Sequence, residues 1–305
     1  MSHAARAAPL AIRVTTYAEL EKIVHAFAAG HFQLLILLGS HGLGKSRMVR
    51  QALPGSSCWL EGNTSVFGLY CQLWRHLHQP VVLDDVDGLY ASRDGVRLLK
   101  CLTQSEPVKR VSWCTDAATL QRDQIPQAFS TTSQVAILTN QWKTLNRDVA
   151  ALQDRGHVVI FQPSALEVHL RTAEWFWDQE IFDFLAERLQ WLSEPSMRHY
   201  VAGWELKQAG LDWRSLLLSR CLSGRALLVA QLKADPRYAS EAERVQAFLA
   251  QGGGSRSTYF NWSRKLHAQG TAPPIRLRAA PPVLQASDEM LQRLLRRWNG
   301  HFRDN

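Results

Sequence analysis

The sequence lacks three features that would each define a class of protein. Its cysteines form no C-x-x-C pair and have no histidine at metal-ligand spacing; they are Cys58, Cys71, Cys101, Cys114 and Cys221. This scattered, odd-numbered set predicts reduced core thiols and argues against a zinc site. No apolar run approaches the roughly 18–20 residues of a membrane span, and the first residues lack the apolar stretch of a secretory signal. From the cysteine pattern and the missing span and signal, we expect a cytoplasmic protein with no membrane partner. No internal repeat is visible in the sequence.

Charge is unevenly distributed along the chain of 305 residues, a length that suggests one large or two modest domains. The net charge is +8, and residues 251–305 hold nine basic but only three acidic side chains. Three quarters of the positive excess therefore lies near the C-terminal end. This excess favours an anionic partner for that region.

One stretch combines a strand, a glycine-containing loop and a helix. Residues 34–38 are aliphatic and predict a buried strand, and residues 47–53 predict a helix that stops at Pro54-Gly55. The loop between them has the spacing G-x-x-x-x-G-K-[ST], which is typical of phosphate-binding loops in this setting. The candidate nucleotide-binding residues are Gly39, Ser40, His41, Gly42, Leu43, Gly44, Lys45, Ser46 and Arg47.

Each residue type in this loop suits a triphosphate. The glycines allow positive φ, so that backbone N–H groups can turn inward around an anion. The N-terminal end of the following helix adds a favourable dipole. Lys45 is expected to reach the β- and γ-phosphates, and the Ser46 hydroxyl to ligate Mg²⁺. His41 occupies a variable position and is interpreted as loop filler; the alternative for the whole stretch is an ordinary strand-to-helix turn.

A second strand ends in two acids. Three aliphatic residues, 81–83, precede Asp84 and Asp85 about forty residues after the loop. Burial of the aliphatic residues would aim the carboxylates at the carboxyl end of a parallel sheet. Asp84 is then a candidate to hold Mg²⁺ through water, and Asp85 to orient or deprotonate the attacking water. The alternative is that the pair caps a loop.

Further strand and helix patterns alternate and predict an α/β fold. Strands are expected near residues 57–60, 135–140 and 158–161, which with the first two make a parallel five-stranded sheet flanked by helices. A capping-box pattern, Thr16-x-x-Glu19, begins a helix that ends at Gly30. Residues 108–115 predict a strand or edge insertion, and residues 116–129 are predicted to be irregular or helical.

The order of these motifs, from about Thr16 to Gly224, resembles the AAA-plus ATPase family. Asp84-Asp85 resembles its Walker B motif and Asn140 its sensor 1, which positions the lytic water. Arg155 is similar to the arginine finger supplied to a neighbouring subunit, and residues 163–167, Pro-Ser-Ala-Leu-Glu, to the junction that begins the helical lid. The resemblance implies ATP and Mg²⁺ as ligands and a homo-oligomer.

The same resemblance divides the chain. It implies a nucleotide-binding core over residues 1–162 and an all-α lid over residues 163–234. Within the lid, Arg198 resembles the sensor 2 arginine and Arg225 is the runner-up; the alternative for either is a solvated helix arginine. An aromatic cluster, Trp175, Phe176, Trp177, Phe182 and Phe184, fits the lid core better than a base-stacking surface.

The basic end follows. Residues 235–268 predict a helix over 240–250, a glycine turn and a second helix over 256–267, which resembles a helix-turn-helix. A small helical hairpin packed on the lid is an equal alternative. Residues 269–305 predict a proline-containing linker and a basic helix over 288–302.

These observations favour an ATP-hydrolysing AAA-plus protein that acts on DNA or a DNA-bound partner. Replication, helicase loading and mobile-element maintenance are the expected settings, since residues 111–113, 139–140 and 211–214 resemble phage and mobile-element ATPases of this family. A slow nucleotide switch that recruits a transposase or helicase is an alternative, because Asp85 stands where glutamate is usual. A protein-remodelling ATPase without direct DNA contact is another.

Overall fold

The structure, a computed structural model, describes residues 11–86, 88–89, 92–104, 106–115, 117–140, 155–189, 192, 194–222 and 224–267, without the side chains of 265–267. These residues belong to two compact units. The first unit reaches Val168 and includes Glu194–Met197, and the second begins at His169 and resumes at Arg198. Each unit has a hydrophobic core of its own.

The first unit alternates strands with helices. Its strands are β1 (Ile12–Val14), β2 (Leu34–Leu38), β3 (Cys58–Glu61), β4 (Val81–Asp84), β5 (Lys109–Ser112), β6 (Ala128–Thr131), β7 (Val135–Thr139) and β8 (His157–Phe161). Its helices are α1 (Tyr17–Ala28), α2 (Lys45–Ala52), α3 (Val66–Arg75), α4 (Arg93–Leu102) and α5 (Ala118–Arg122), and α6 (Ala165–Ala173) begins in it. The predicted capping box is present before α1, formed by Thr16 and Glu19.

The main sheet has six strands in the order β1-β8-β2-β7-β4-β3, and their pairings are parallel. The α/β class with a parallel, helix-flanked sheet is therefore confirmed. The prediction of five strands was wrong by one, because β1 pairs with β8 at the edge. Two of its three side chains are exposed, so this short strand carries little apolar pattern in the sequence.

The central strands are the most buried. Four of the five residues of β2 and all five of β7 are buried, as expected for strands covered by helices on both faces. Leu38 lies opposite Thr139, and Asp84 lies opposite Leu138. The carboxyl ends of β2, β7 and β4 therefore stand side by side.

A separate two-stranded antiparallel sheet pairs β5 with β6. The strand predicted within 108–115 is confirmed as β5, but residues 128–129 belong to β6, so the prediction of irregular or helical chain there was wrong. β6 has the sequence Ala-Phe-Ser-Thr, with one large apolar residue, so no alternation of apolar and polar residues marks it as a strand. Buried Lys109 anchors this hairpin: its Nζ donates to Gln33 Oε1 at 2.7 Å and to the Ser133 carbonyl at 2.5 Å. Burial lowers the pKa of Lys109 to about 8.

Helices make up the second unit. The first group is α7 (Gln179–Ala186), α8 (Arg198–Gln208) and α9 (Trp213–Cys221). Phe182 and Phe184 are buried in their common core, which confirms the core interpretation for these two aromatic residues, and Trp177 stacks on Phe182 at 4.5 Å. His169 is buried, and its Nδ1 lies 2.8 Å from the Tyr200 hydroxyl oxygen. Burial lowers the pKa of His169 to about 4.

Three more helices share another core. They are α10 (Gly224–Ala234), α11 (Glu241–Ala250) and α12 (Arg256–His267), and both predicted C-terminal helices are confirmed as α11 and α12. Val229, Val245, Phe248 and Tyr259 pack together among them. Gly253 in the α11–α12 turn is buried against the Phe248 ring, where a Cβ would overlap the ring.

Two findings concern the described residues alone. The five cysteines are present as thiols, three of them buried. None of the helices there combines the length and the apolarity needed to cross a membrane. Two predicted helices, 148–156 and 288–302, lie outside the described residues, except for residues 155–156. The predicted linker before the second helix also lies outside them.

Candidate functional site

The loop between β2 and α2, residues 39–46, has a backbone that requires glycine. Gly42 and Gly44 adopt φ of 69° and 76°, in the left-handed region, and Gly44 is the N-cap of α2. A Cβ on Gly39 would approach the Phe161 carbonyl to 2.9 Å. We call this segment the glycine-rich loop.

Two carbonyls of the glycine-rich loop are held by distant residues. The Tyr17 hydroxyl donates to the Leu43 carbonyl at 3.0 Å, and the Met197 N–H donates to the Gly42 carbonyl at 2.8 Å. A trans peptide carries its C=O and N–H on opposite sides. Fixing these carbonyls therefore also fixes the direction of the N–H groups of Leu43 and Gly44.

The ammonium of Lys45 lies inside the loop. Lys45 is only 7% exposed. Its Nζ donates to the Gly39 carbonyl at 2.7 Å, to the Ser40 carbonyl at 2.9 Å and to Asn140 Oδ1 at 3.0 Å. These three acceptors are neutral dipoles, which a stronger anionic acceptor could replace. The charge of Lys45 also acts on the Asp84 carboxylate and lowers its pKa.

Asn140 connects Lys45 to an acid. Its Nδ2 donates to both carboxylate oxygens of Asp85, each at 2.9 Å. Asp85 has φ of 51°, in the left-handed region that Asp tolerates better than most residues. Its N–H donates to the Leu138 carbonyl at 2.9 Å, which fixes the turn after β4 beside the end of β7. Ammonium, amide and carboxylate thus form one chain across the ends of β2, β7 and β4.

A hydroxyl and a second acid lie beside this chain. The Ser46 side chain is hydrogen-bonded to Asp84. Partial burial raises the pKa of Asp84, the Ser46 hydrogen bond lowers it, and the charges of Asp85 and Glu61 raise it further. Negative charge is therefore crowded at this end of the sheet. In the part of the chain that the structure describes, no three His, Cys, Asp or Glu side chains form a metal cage.

Some of the predicted site residues meet in one cluster, and others have side chains exposed to solvent. Lys45, Ser46, Asp84, Asp85 and Asn140 come together as predicted from their order. The side chains of Ser40, His41 and Arg47 are exposed around the glycine-rich loop.

The three predicted arginines lie elsewhere. Arg155 is exposed just before β8 and donates through Nη1 to the Lys100 carbonyl at 2.6 Å. Because β8 runs parallel to β2, with His157 opposite Leu35, this is the amino end of the sheet, roughly 20 Å along the strand direction from the glycine-rich loop. Arg198 and Arg225 are exposed in the second unit, and their assignment to sensor 2 stays a prediction.

Tyr17 and Met197 were missed by sequence reasoning. Tyr17 is the first residue of α1 and was interpreted only as part of a helix. Its ring also packs edge-on against Phe161 at 5.0 Å, which holds the hydroxyl in place. Met197 contacts the loop through its backbone, and its Sδ lies 3.2 Å from where a Cβ on Gly44 would be. A backbone contact across 155 positions leaves no residue-type signal in the sequence.

Fold and site together define an α/β protein with a polar cluster at the carboxyl edge of a parallel sheet. The chain matches no protein-family model. It is similar to the "uncharacterized 36.7 kDa protein in nrdC-mobD intergenic region" of Enterobacteria phage T4, with 28% identity over 120 residues. The similarity covers 36% of this chain and 37% of the phage protein, so well under half of either is matched.

Proposed function

We propose that this chain is an ATP-hydrolysing protein of the AAA-plus type and that the glycine-rich loop binds the triphosphate. One observation carries the proposal. Lys45, Asn140 and Asp85, from the ends of three neighbouring parallel strands, form a hydrogen-bonded chain beside the Ser46–Asp84 pair. A buried lysine, a helix N-terminus and paired acids are the groups that phosphoryl transfer from a nucleotide needs.

Binding would exchange neutral partners of Lys45 for charged ones. Phosphate oxygens are stronger acceptors than the Gly39 and Ser40 carbonyls and the Asn140 amide. The N–H groups at the start of α2 would add dipolar attraction for the same anion. Tyr17 and Met197 act here as positioning residues, because they hold the loop carbonyls away from where the phosphates would lie.

Ser46 and Asp84 fit Mg²⁺ by the chemistry of their donors. Both present oxygen, which Mg²⁺ prefers, and Mg²⁺ usually completes its shell with waters and phosphate oxygens. Burial is the main cause of the raised pKa of Asp84, and the charges of Asp85 and Glu61 add to it. A cation beside these carboxylates would relieve their repulsion. When bound, Mg²⁺ would neutralise charge that develops on the phosphates.

Asp85 is the proposed base for hydrolysis. A water placed near its carboxylate would attack the γ-phosphorus, the bond to the β-phosphate oxygen would break, and the water proton would pass to Asp85 or to phosphate. Asn140 would hold Asp85 in position and offer an uncharged polar partner to the water. The left-handed backbone at Asp85 supports this role, since it directs the carboxylate to the end of β7.

Arg155 is proposed to act on the nucleotide of another copy. Its place at the amino end of the sheet keeps it away from the glycine-rich loop of its own chain. Mixing two inactive proteins tests this: Lys45→Ala supplies Arg155, and Arg155→Ala supplies an intact loop. Turnover above the sum of the separate proteins supports action in trans, and no gain contradicts it.

A slow nucleotide switch is a second candidate. Both carboxylate oxygens of Asp85 accept hydrogen bonds from the Asn140 amide. These bonds would compete with the attacking water for the same carboxylate and slow hydrolysis. Such an enzyme would bind ATP, turn over slowly and recruit a DNA-bound partner in its ATP state. DNA or a helicase or transposase client is the partner class that we propose for either candidate.

ATP turnover of the full chain, with and without duplex DNA, tests the proposal. We expect Mg²⁺-dependent hydrolysis that Lys45→Ala abolishes and Lys22→Ala leaves unchanged, since Lys22 is an exposed lysine of α1. Strong stimulation by DNA favours the motor or loader, and slow, unstimulated turnover favours the switch. An equal rate in the parent and Lys45→Ala would rule out hydrolysis at this site.

A further inference from the structure

The helix α12 presents one polar face to solvent. Arg256, Ser257, Asn261 and Arg264 are exposed, and at 100° per residue they fall within one arc of the helix. Tyr259 is buried in the core shared with α10 and α11, and buried Ser263 donates to Glu241 of α11. We call these four exposed residues the α12 face.

Among the residues that the structure describes, Arg256 and Arg264 of the α12 face form no ion pair with an acid. The sequence has no Asp or Glu between Glu243 and Asp288. Glu241 turns toward Lys233, Arg244 and Ser263, at 3.7, 3.1 and 3.3 Å.

Two further charged residues belong to α11 and α10, the helices that pack against α12. The Glu243 carboxylate accepts from the Ser240 N–H at the start of α11, and so it is engaged in a helix cap. Arg225, on α10, adds a cation next to the turn, since its Nε lies 3.5 Å from where a Cβ on Gly254 would be.

We propose that the α12 face is a binding site for double-stranded DNA. Arg256 and Arg264 are eight residues apart, which is about 12 Å along a helix. A helix lying in the major groove, which is roughly 12 Å wide, would place them at two points along the groove, where both can meet backbone phosphates. Ser257 and Asn261 lie between them with hydroxyl and amide groups, which are the groups that read base edges. Arg225 and the N-terminal end of α12 provide further phosphate contacts.

The α10–α12 core supports this use of α12. Gly253 is closed against the Phe248 ring, and Ser255 Oγ accepts from the Thr258 N–H at 3.2 Å, so the turn and the helix start are fixed. A fixed helix with a polar outer face loses little entropy when it enters a groove. A protein partner would require an apolar centre, whereas the one apolar ring within this arc, Phe260, is partly buried and lies 5.6 Å from the Arg256 guanidinium.

The test compares two double variants of the full chain without nucleotide. Binding of a fluorescein-labelled DNA duplex of mixed sequence is followed by anisotropy between about 50 and 200 mM NaCl. We expect Arg256→Ala/Arg264→Ala to lower the affinity by at least about 10-fold and to reduce the salt slope by about 2. The matched control is Arg214→Ala/Arg220→Ala, which removes two exposed arginines from α9 and should change neither.

Three results would overturn the proposal. The first is a parent protein that binds no duplex. The second is an Arg256→Ala/Arg264→Ala protein with the affinity and salt slope of the parent, which would place DNA binding on another surface. The third is equal or tighter binding of the single strand alone, which would exclude groove recognition. Since the measurement needs no ATP, its outcome is independent of the proposed hydrolysis.

Discussion

Replacing Asn140 by alanine tests whether the hydrogen-bonded chain of Lys45, Asn140 and Asp85 contributes to ATP turnover. Asn140 makes three side-chain hydrogen bonds: it accepts one from Lys45 at 3.0 Å and donates two to Asp85 at 2.9 Å. All three involve a charged partner. The Asn140→Ala variant removes them together and leaves the backbone of β7 unchanged.

The structure predicts a small cost in folding and a large cost in turnover. One hydrogen bond to a charged group contributes roughly 1.5–3 kcal/mol, but exposed Asp85 can regain water, and Lys45 keeps the Gly39 and Ser40 carbonyls. We therefore expect the free energy of unfolding to fall by only about 1–2 kcal/mol. Losing a positioned donor at a reacting site lowers turnover by about 100-fold or more.

The assay is steady-state ATP hydrolysis at saturating Mg-ATP, beside urea unfolding. Asn63→Ala is the matched control, because Asn63 is an exposed asparagine in the loop after β3. We expect ATP affinity close to that of the parent, since Asn140 would release Lys45 on binding. Turnover of Asn140→Ala within about two-fold of an active parent would refute the role given to the Lys45–Asn140–Asp85 chain.

Three other predictions concern stability and pH. The pKa of His169 is about 4 in the folded chain, below the ordinary 6.5, so the unfolded state takes up a proton first as the pH drops. The free energy of unfolding should therefore fall by about 3 kcal/mol between these pH values. Urea unfolding of His169→Gln should lack this loss. Gly253→Ala should destabilise the chain by about 2 kcal/mol, because its Cβ would overlap the Phe248 ring. Gly252 has open space around it but a φ of 72°, so Gly252→Ala should cost about 1 kcal/mol. Thermal unfolding of both variants measures the difference. Because the pKa of Asp84 is raised, a proton competes with Mg²⁺ there, so Mg-ATP affinity measured by calorimetry should rise with pH, and Asp84→Asn should flatten this dependence.

Much of the fold was predictable because its central strands have a simple physical signature. The aliphatic runs at 34–38 and 135–139 are buried on both faces and need no partner to be recognised. Edge and hairpin strands lack that signature. β1 exposes two of three side chains, and β6 has one large apolar residue, Phe129, so their sequences alone do not mark them as strands.

The residues of the candidate site were predictable, but their connections were not. Lys45, Asp84 and Asn140 each follow from a strand end and a residue type. The left-handed backbone of Asp85, and the bond from Asn140 to Lys45, depend on side-chain directions that no spacing rule contains. Tyr17 approaches the glycine-rich loop only because α1 packs beside α2.

The central claim is that the glycine-rich loop holds a triphosphate through Lys45. Equilibrium binding of Mg-ATP by the parent and by Lys45→Ala tests it most directly. We predict saturable binding by the parent at one site, and a loss of at least about 100-fold in the variant, since a buried charge-assisted contact is worth roughly 3 kcal/mol. Equal affinity in the two proteins, or no binding by either, would contradict the claim.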